Sequence, residues 1–225
     1  MCGRFTLVTT AEELARVFDL DSPPTLRPRY NIAPTQPIAV VTVNPQTERN
    51  GLRVVTWGFI PPDAASPTPA PFSARLDSLN WKGMFSESFA TRRCLVPATG
   101  FYVWEKFGDV QVPHYINLRR GRVVAFAGLW SAWQCPESRK WVYTACLITT
   151  PPNHFLRAFT DRQAAVIRSE DYGVWLDDMT PLPDLVELLR PFPPNGIEVW
   201  QVGDRVNSWE PDDPELIAPL HETAA

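Results

Sequence analysis

Cys2 follows Met1 in the opening MCGRF, and its position gives it a chemistry that an internal cysteine lacks. A small second residue permits removal of the initiator methionine, which would leave a terminal 1,2-aminothiol. Its amine and its thiol both titrate near neutrality, so each keeps a reactive fraction there. Two reactions are open to such a pair. The thiol can attack an amide carbonyl with the amine as base, the reaction of an N-terminal-nucleophile amidohydrolase. Alternatively, the amine condenses with an aldehyde to an imine, and the thiol closes a five-membered thiazolidine in an intramolecular step that proximity favours. The plainer alternative is an idle terminal cysteine, because thiol reactivity depends on surroundings.

Glu105 in GFYVWEKFGD is the second candidate. Phe101, Tyr102, Val103, Trp104 and Phe107 flank it, and a partly desolvated carboxyl suits proton transfer. The alternative is an edge-strand glutamate that faces water beside Lys106. A Cys-His pair of Cys2 with His114 or His154 is conceivable, although nothing local supports it. The cysteines at 2, 94, 135 and 146 and the histidines at 114, 154 and 221 show no metal-ligand spacing, so no metal is expected. Cys94 and Cys146 lie in apolar strand-like runs and read as buried, inert thiols, and Cys135 as an exposed turn residue. The chain contains no G-x-S-x-G, Walker or G-x-G-x-x-G motif, which removes the common hydrolase, nucleotidase and dehydrogenase classes and leaves no cofactor expected.

Composition sets the frame for these residues. With 225 residues and 44% hydrophobic content, one sizeable core is expected. No apolar run reaches membrane-spanning length, and MCGRFTLVTTAEEL lacks the pattern of a signal peptide, so a cytoplasmic protein with reduced thiols is expected. The net charge of −4 does not advertise nucleic-acid binding. Yet all but three of the 21 basic residues are arginine, the cation better suited to bidentate phosphate contacts. A GC-rich genome would explain the bias equally well.

The elements that must hold these residues are mostly strands. TTAEELARVFDL predicts a helix capped by Thr9 or Thr10, with Leu14, Val17 and Phe18 on one face. DSPPTLRPRYNIAPTQP is too interrupted by proline for regular structure. IAVVTV and GLRVVTWGF predict a hairpin, and residues 61–71 an exposed, mobile loop. WKGMFSESFATR reads as a helix, RCLVPATGFYVWEKF as a strand pair turning at Ala98–Gly100, and HYINLRR, VVAFAGLW and WVYTACLITT as strands. PNHFLRAF starts like a helix, AAVI like a short strand, SEDYGVWLD like a short helix and IEVWQVGD like a late strand. The class is α+β with mostly antiparallel sheet, in one domain over residues 1–217 with a tail at 218–225.

Taken together, MCGRF, RYNIAPTQ, VTWGFIP, SARLDS, RRCLVPATGFYVWEK, FAGLW, FTDR and DRVNSWEPDDPELI resemble the SOS response-associated peptidase (SRAP) family. The motifs run in order along about nine-tenths of the chain. The resemblance implies a single α+β domain with a bifurcated, barrel-like β core and a positively charged DNA channel. It also implies that Cys2, freed of Met1, forms a thiazolidine crosslink with the aldehyde of an abasic site in single-stranded DNA. Glu105 then falls on the acid that assists proton transfer and crosslink turnover. Arg4, Arg75 and Arg162 fall on positions that hold DNA phosphates, with Asn31 near the same pocket. The family cysteine is also credited with autoproteolysis. The partner implied is abasic single-stranded DNA, bound by a monomer without metal, cofactor or membrane.

The chain departs from the family pattern at several places. Ser73 stands where an asparagine is usual, Asp77 where a glutamate is usual, and Thr160 where a histidine is usual. The lost histidine is the residue best matched to move a proton near neutrality, and serine reaches less far than an amide. The aromatic residues expected after WGF are replaced by DAASPTPAP, which removes a base-stacking surface. Three readings therefore stand: a crosslinking protein, a DNA-binding module with weak or no crosslinking, and an N-terminal-cysteine amidohydrolase or protease.

Overall fold

The computed structural model describes residues 3–68, 70–79, 83–118 and 122–220. Cys2 and the HETAA end lie outside the described residues, as do Trp81 and Lys82 of the WKGMF segment and Arg119 and Arg120 of HYINLRR. Two sheets make up the architecture, and both grow from the apolar strand runs of the sequence.

The larger sheet contains β3 (Pro37–Asn44), β4 (Arg49–Trp57), β6 (Arg93–Ala98), β9 (Val124–Gln134) and β10 (Trp141–Thr150). β3 and β4 form the expected hairpin, with Val40 opposite Arg53. β6 pairs antiparallel with both β3 and β9, and β9 forms a hairpin with β10. A parallel pairing of Thr144 and Ala145 in β10 with Thr56 and Trp57 in β4 closes these five strands into a barrel. Closure satisfies edges that would otherwise expose unpaired backbone groups. β5 (Ser73–Arg75) extends the parallel edge of β10 beyond β4, and β11 (Gln163–Ala164) and β12 (Val166–Ile167) add to β10 and β9. The AAVI run thus divides between two strands.

The smaller sheet has the order β13 (Ile197–Gln201), β8 (Val110–Leu118), β7 (Gly100–Phe107), β1 (Phe5–Leu7) and β2 (Arg29–Ile32). Its two faces explain why GFYVWEKF is apolar almost throughout. Phe101 and Val103 join the main core, where Phe101 lies 6.3 Å from Phe126 of β9 and Phe5 lies 5.1 Å from Trp57 of β4. Tyr102 and Trp104 face the other way, into a second cluster with Tyr115, Val206 and Leu216. Residues 204–217 cover that second face.

Two expectations need correction. β6 and β7 do not pair with each other, because the single residue Thr99 between them is too short to reverse the chain. Thr99 instead passes the chain from one sheet to the other: its amide donates to the Thr6 carbonyl and its carbonyl accepts from Leu118. Gly100 makes this passage possible, since a Cβ there would sit 2.3 Å from the Tyr115 hydroxyl and 2.5 Å from the Ile116 carbonyl. The proline-broken stretch also contains β2, placed at the sheet's edge, where a neighbouring proline costs no ladder bond. Asp212 clamps this strand by accepting from the Asn31 amide (3.0 Å) and the Arg29 guanidinium.

The helices are short. α1 (Ala11–Phe18) begins as expected, with Thr10 accepting from the Glu13 amide at 3.2 Å and with Leu14 and Phe18 buried. α2 (Ser86–Thr91) is shorter than the sequence suggests, and PNHFLRAF gives only a 3-10 turn at Leu156–Ala158. α3 (Tyr172–Leu176) was expected, whereas α4 (Leu182–Leu188), hidden between prolines, was not. Among the described residues no helix is long and apolar enough to cross a membrane. Residues 61–68 form no helix or strand, but the Trp133 indole donates to the Ala64 carbonyl at 2.8 Å.

Candidate functional site

Glu105 lies on the core-facing side of β7, close to the end where that strand leaves the core. The Gly108–Asp109 turn, with Gly108 at φ 61°, sets the β7–β8 register: Glu105 opposes Val112, and Val103 opposes His114. Glu105 and His114 are therefore diagonal neighbours on one face. The His114 Nε2 lies 3.5 Å from Glu105 Oε2, and the two side chains are 13% and 24% exposed. The His114 ring also packs on Phe159, with centroids 5.1 Å apart. The carboxyl thus faces an imidazole rather than standing in water beside Lys106.

Phe159 leads directly into the second part of the site. The Thr160 hydroxyl donates to the Arg162 carbonyl at 2.9 Å and closes a local turn. Arg162 is buried between β10 and the segment after β5: its Nε donates to the Thr149 hydroxyl at 3.0 Å, and its Nη2 to the Thr149 carbonyl at 2.8 Å. The same Nη2 stands 3.5 Å from Asp77, and exposed Arg75 stands 3.6 Å from the other oxygen of that carboxylate. The Asp77 carboxyl is held below the usual range by its own backbone amide and then by Arg162. Ser73 sits two residues before Arg75 on β5, opposite Leu147. Ser73, Arg75, Ser78, Met84 and Phe85 border a shallow cavity there.

The third part lies at the start of β1. Arg4 Nη1 donates to Asn31 Oδ1 (2.9 Å), the Val206 carbonyl (2.6 Å) and the Ser208 carbonyl (3.1 Å), and Nη2 to the Asn207 carbonyl (3.3 Å). Burial lowers the pKa of this guanidinium, although arginine stays charged. Fully buried Asn31 donates to the Ser208 and Pro211 carbonyls at 2.9 and 2.8 Å. Arg4 and Asn31 thus tie β1 and β2 to the chain's C-terminal cover. β1 runs antiparallel to β7, with Thr6 opposite Gly100 and Phe5 opposite Phe101, and the Arg4 carbonyl accepts from Tyr102. Going from Thr6 back to Arg4 is therefore a walk along β7 toward Glu105.

The structure connects Glu105, Thr160, Arg162 and Arg75 through adjoining contacts, while Arg4 and Asn31 form a separate cluster beside β7. Sequence reasoning missed Asp212, and it raised His114 only as a partner for Cys2. The Gly108–Asp109 turn was the available signal, because its register puts the imidazole beside Glu105. Among the described residues no group of three or more His, Cys, Asp or Glu side chains could hold a metal ion. Cys94 and Cys146 are buried, and burial pushes both thiols well above their usual range.

The model of the family described as SOS response associated peptidase (SRAP) matches residues 1–209. The chain belongs to the SRAP family. Its similarity to the abasic site processing protein YoqW of Bacillus subtilis is 34% identity over 224 residues, covering 96% of this chain and 99% of YoqW. The abasic site processing protein YoaM of the same organism is 31% identical, over 96% of this chain and 97% of its own. A crystal structure of a protein from Bacteroides thetaiotaomicron superposes with a TM-score of 0.88 at 21% identity, covering 98% of this chain and all of that one. The last likeness bears on the SRAP fold alone: a barrel-like β core with a second sheet and flanking helices.

Proposed function

We propose that this SRAP chain processes abasic sites, binding single-stranded DNA and capturing the site's aldehyde through Cys2 once Met1 is removed. The observation that carries the reading is the course of β1. From Thr6, opposite Gly100, to Arg4, whose carbonyl accepts from Tyr102, the described part of this strand advances along β7 toward its Glu105 end. The names of relatives that match nearly end to end support the same substrate. In this reading the Cys2 amine attacks the aldehyde, water leaves, and the thiol closes the ring. Two protons, one from nitrogen and one from sulfur, depart with the aldehyde oxygen. Glu105 moves protons in these steps, and Arg75 meets DNA phosphate from its exposed position. Autoproteolytic action of the same cysteine, a role in the SOS response and a cytoplasmic monomer of one domain over residues 1–217 belong to the proposal.

The test is incubation of methionine-processed protein with an abasic single-stranded oligonucleotide, followed by denaturing electrophoresis. A denaturation-resistant adduct that Cys2→Ala abolishes is expected. No adduct, or one indifferent to Cys2→Ala, overturns the reading.

A second reading, a DNA-binding module with little crosslinking, is favoured by one observation. The Thr160 hydroxyl is engaged with the Arg162 backbone and serves a turn. This reading expects salt-sensitive DNA binding with no adduct over hours.

A further inference from the structure

The Glu105 carboxyl has a built-in proton partner, and its geometry defines where the mobile proton sits. On the far side of the ring from Glu105, His114 Nδ1 lies 3.1 Å from the Val112 carbonyl. A carbonyl oxygen can only accept, so Nδ1 must carry a hydrogen in this arrangement. The neutral imidazole then presents a bare Nε2 to Glu105 Oε2, 3.5 Å away. A single proton between Nε2 and Oε2 gives either a carboxylic acid beside a neutral imidazole or a carboxylate beside an imidazolium.

Both partners are fixed. β7–β8 pairing places them on one sheet face, and Phe159 packs on the ring from the loop after β10. Glu105 is the more exposed of the two and His114 lies behind it. Among the described residues, the groups paired with His114 or packed on its ring besides Glu105 are uncharged: Val103 and Gln201 oppose it on β7 and β13, the Val112 carbonyl lies on its own strand, and Phe159 comes from the loop. Among the described residues Glu105 is the titratable group in contact with it.

We propose that His114 is a positioning and proton-relay residue for Glu105, holding the carboxyl's orientation and exchanging one proton with it during aldehyde capture. The inference rests on the function proposed above and assigns a further residue to that reaction. Condensation of an aminothiol with an aldehyde must move two protons onto the departing oxygen, one at a time. Glu105 delivers the first to the aldehyde oxygen as the amine adds, which makes the hydroxyl, and becomes a carboxylate. The pair takes up the proton released from nitrogen, shared between Glu105 and the imidazole, and Glu105 gives it to the hydroxyl, which leaves as water. The thiol's proton then restores the pair as sulfur closes the ring. No proton is gained or lost by the pair over the cycle, and no other reactant is needed.

The experiment measures single-turnover adduct formation between the methionine-processed chain and an abasic single-stranded oligonucleotide from pH 5 to 9. It is run on wild type, His114→Gln, His114→Ala, Glu105→Gln and the Glu105→Gln/His114→Gln double variant. Affinity for the undamaged oligonucleotide is measured in parallel. His114→Gln is expected to slow adduct formation about 100-fold, the scale of general acid–base assistance, with affinity unchanged. The double variant should be no slower than Glu105→Gln, because the two residues act as a unit. Free imidazole should restore part of the rate to His114→Ala, which a packing role would not allow. A wild-type rate and pH profile in His114→Gln overturns the relay, as do fully additive losses without imidazole rescue. If wild type itself forms no adduct, the capture reading falls and the relay falls with it. Should the His114 variants fail to fold, nitrogen NMR of the wild-type imidazole against Glu105→Gln decides. A titration midpoint that moves supports the pair, and one that stays fixed overturns it.

Discussion

Arg162 and Arg75 approach different oxygens of the Asp77 carboxylate, at 3.5 and 3.6 Å. The two arginines differ in everything else. Arg162 is 8% exposed and bonded to both the hydroxyl and the carbonyl of Thr149, whereas Arg75 is 61% exposed. One carboxylate thus links a structural arginine to a solvent-facing one, and the trio keeps a net positive charge.

Asp77 should contribute stability that depends on pH in a defined direction. Its folded pKa lies below its unfolded value, so the contribution is complete above the ordinary carboxylate pKa of about 4 and is lost as pH falls through the folded value. Asp77→Asn should therefore unfold at slightly lower urea concentration than wild type at pH 6. The two midpoints should converge as the pH is lowered below about 4. Urea titrations at pH 6, 4 and 3 check the sign, and a gap that widens in acid would contradict it. The expected gap is small because the carboxylate is solvent-screened.

Asn31→Ala should be far more costly. Asn31 is fully buried, accepts from Arg4 and donates to the Ser208 and Pro211 carbonyls. Truncation removes the Asn31 donor to the Pro211 carbonyl and the acceptor of part-buried Arg4, at a cost of about 1–3 kcal/mol for each buried group left unpaired. The Ser208 carbonyl keeps its bond from Arg4. It also loosens residues 204–217 from the smaller sheet. A lowered melting temperature, together with faster amide exchange around Val206 and Leu216, is the expected signature.

Gly100→Ala should destabilise through backbone crowding. The added Cβ meets the Ile116 carbonyl at 2.5 Å as well as the Tyr115 hydroxyl, and a sheet carbonyl cannot rotate away. Overpacking of this kind costs about 1–3 kcal/mol, and more where backbone must shift. Denaturant unfolding measures it directly, and a neutral result would mean that the passage from β6 to β7 can move.

Thiol accessibility gives a sharp contrast. Cys94 and Cys146 are buried with pKa values raised by desolvation. Cys135 is partly exposed, and hydrogen bonds from the Ser138 side chain and backbone lower its pKa. In a Cys2→Ala background, iodoacetamide at pH 8 should modify Cys135 in the native protein and reach Cys94 and Cys146 only after denaturation. Peptide mass mapping reads the result.

Local signals carried much of this molecule. The Thr10 cap, the β3–β4 hairpin and the apolar run of β10 follow from propensity and periodicity within ten residues or so. What local pattern could not supply was the passage at Thr99, since two adjacent apolar strands read as a hairpin unless their partners are known. Two-residue strands such as β11 and β12 are held by long-range pairing and leave almost no periodic trace. In the site, Glu105 was visible from its aromatic flanks, but His114 needed the hairpin register. Arg75 and Arg162 were equal in the sequence and became distinct only through burial.

That distinction leads to a prediction about nucleic acid. If Arg75 meets phosphate from its exposed place on β5, its loss should remove one counterion-releasing contact and little else. Arg75→Ala is then expected to weaken single-stranded DNA binding and to lower the slope of log affinity against log salt by about 0.7. Its stability should stay within about 0.5 kcal/mol of wild type, as for most exposed substitutions. Arg162→Ala should behave differently, because it leaves the Thr149 carbonyl without its buried donor and costs about 1–3 kcal/mol of stability. Fluorescence anisotropy across a salt series, paired with urea unfolding of both variants, separates the two roles. An unchanged salt slope in Arg75→Ala would remove this arginine from the DNA contact surface. A full loss of binding in Arg162→Ala at unchanged stability would instead make the buried arginine the phosphate ligand.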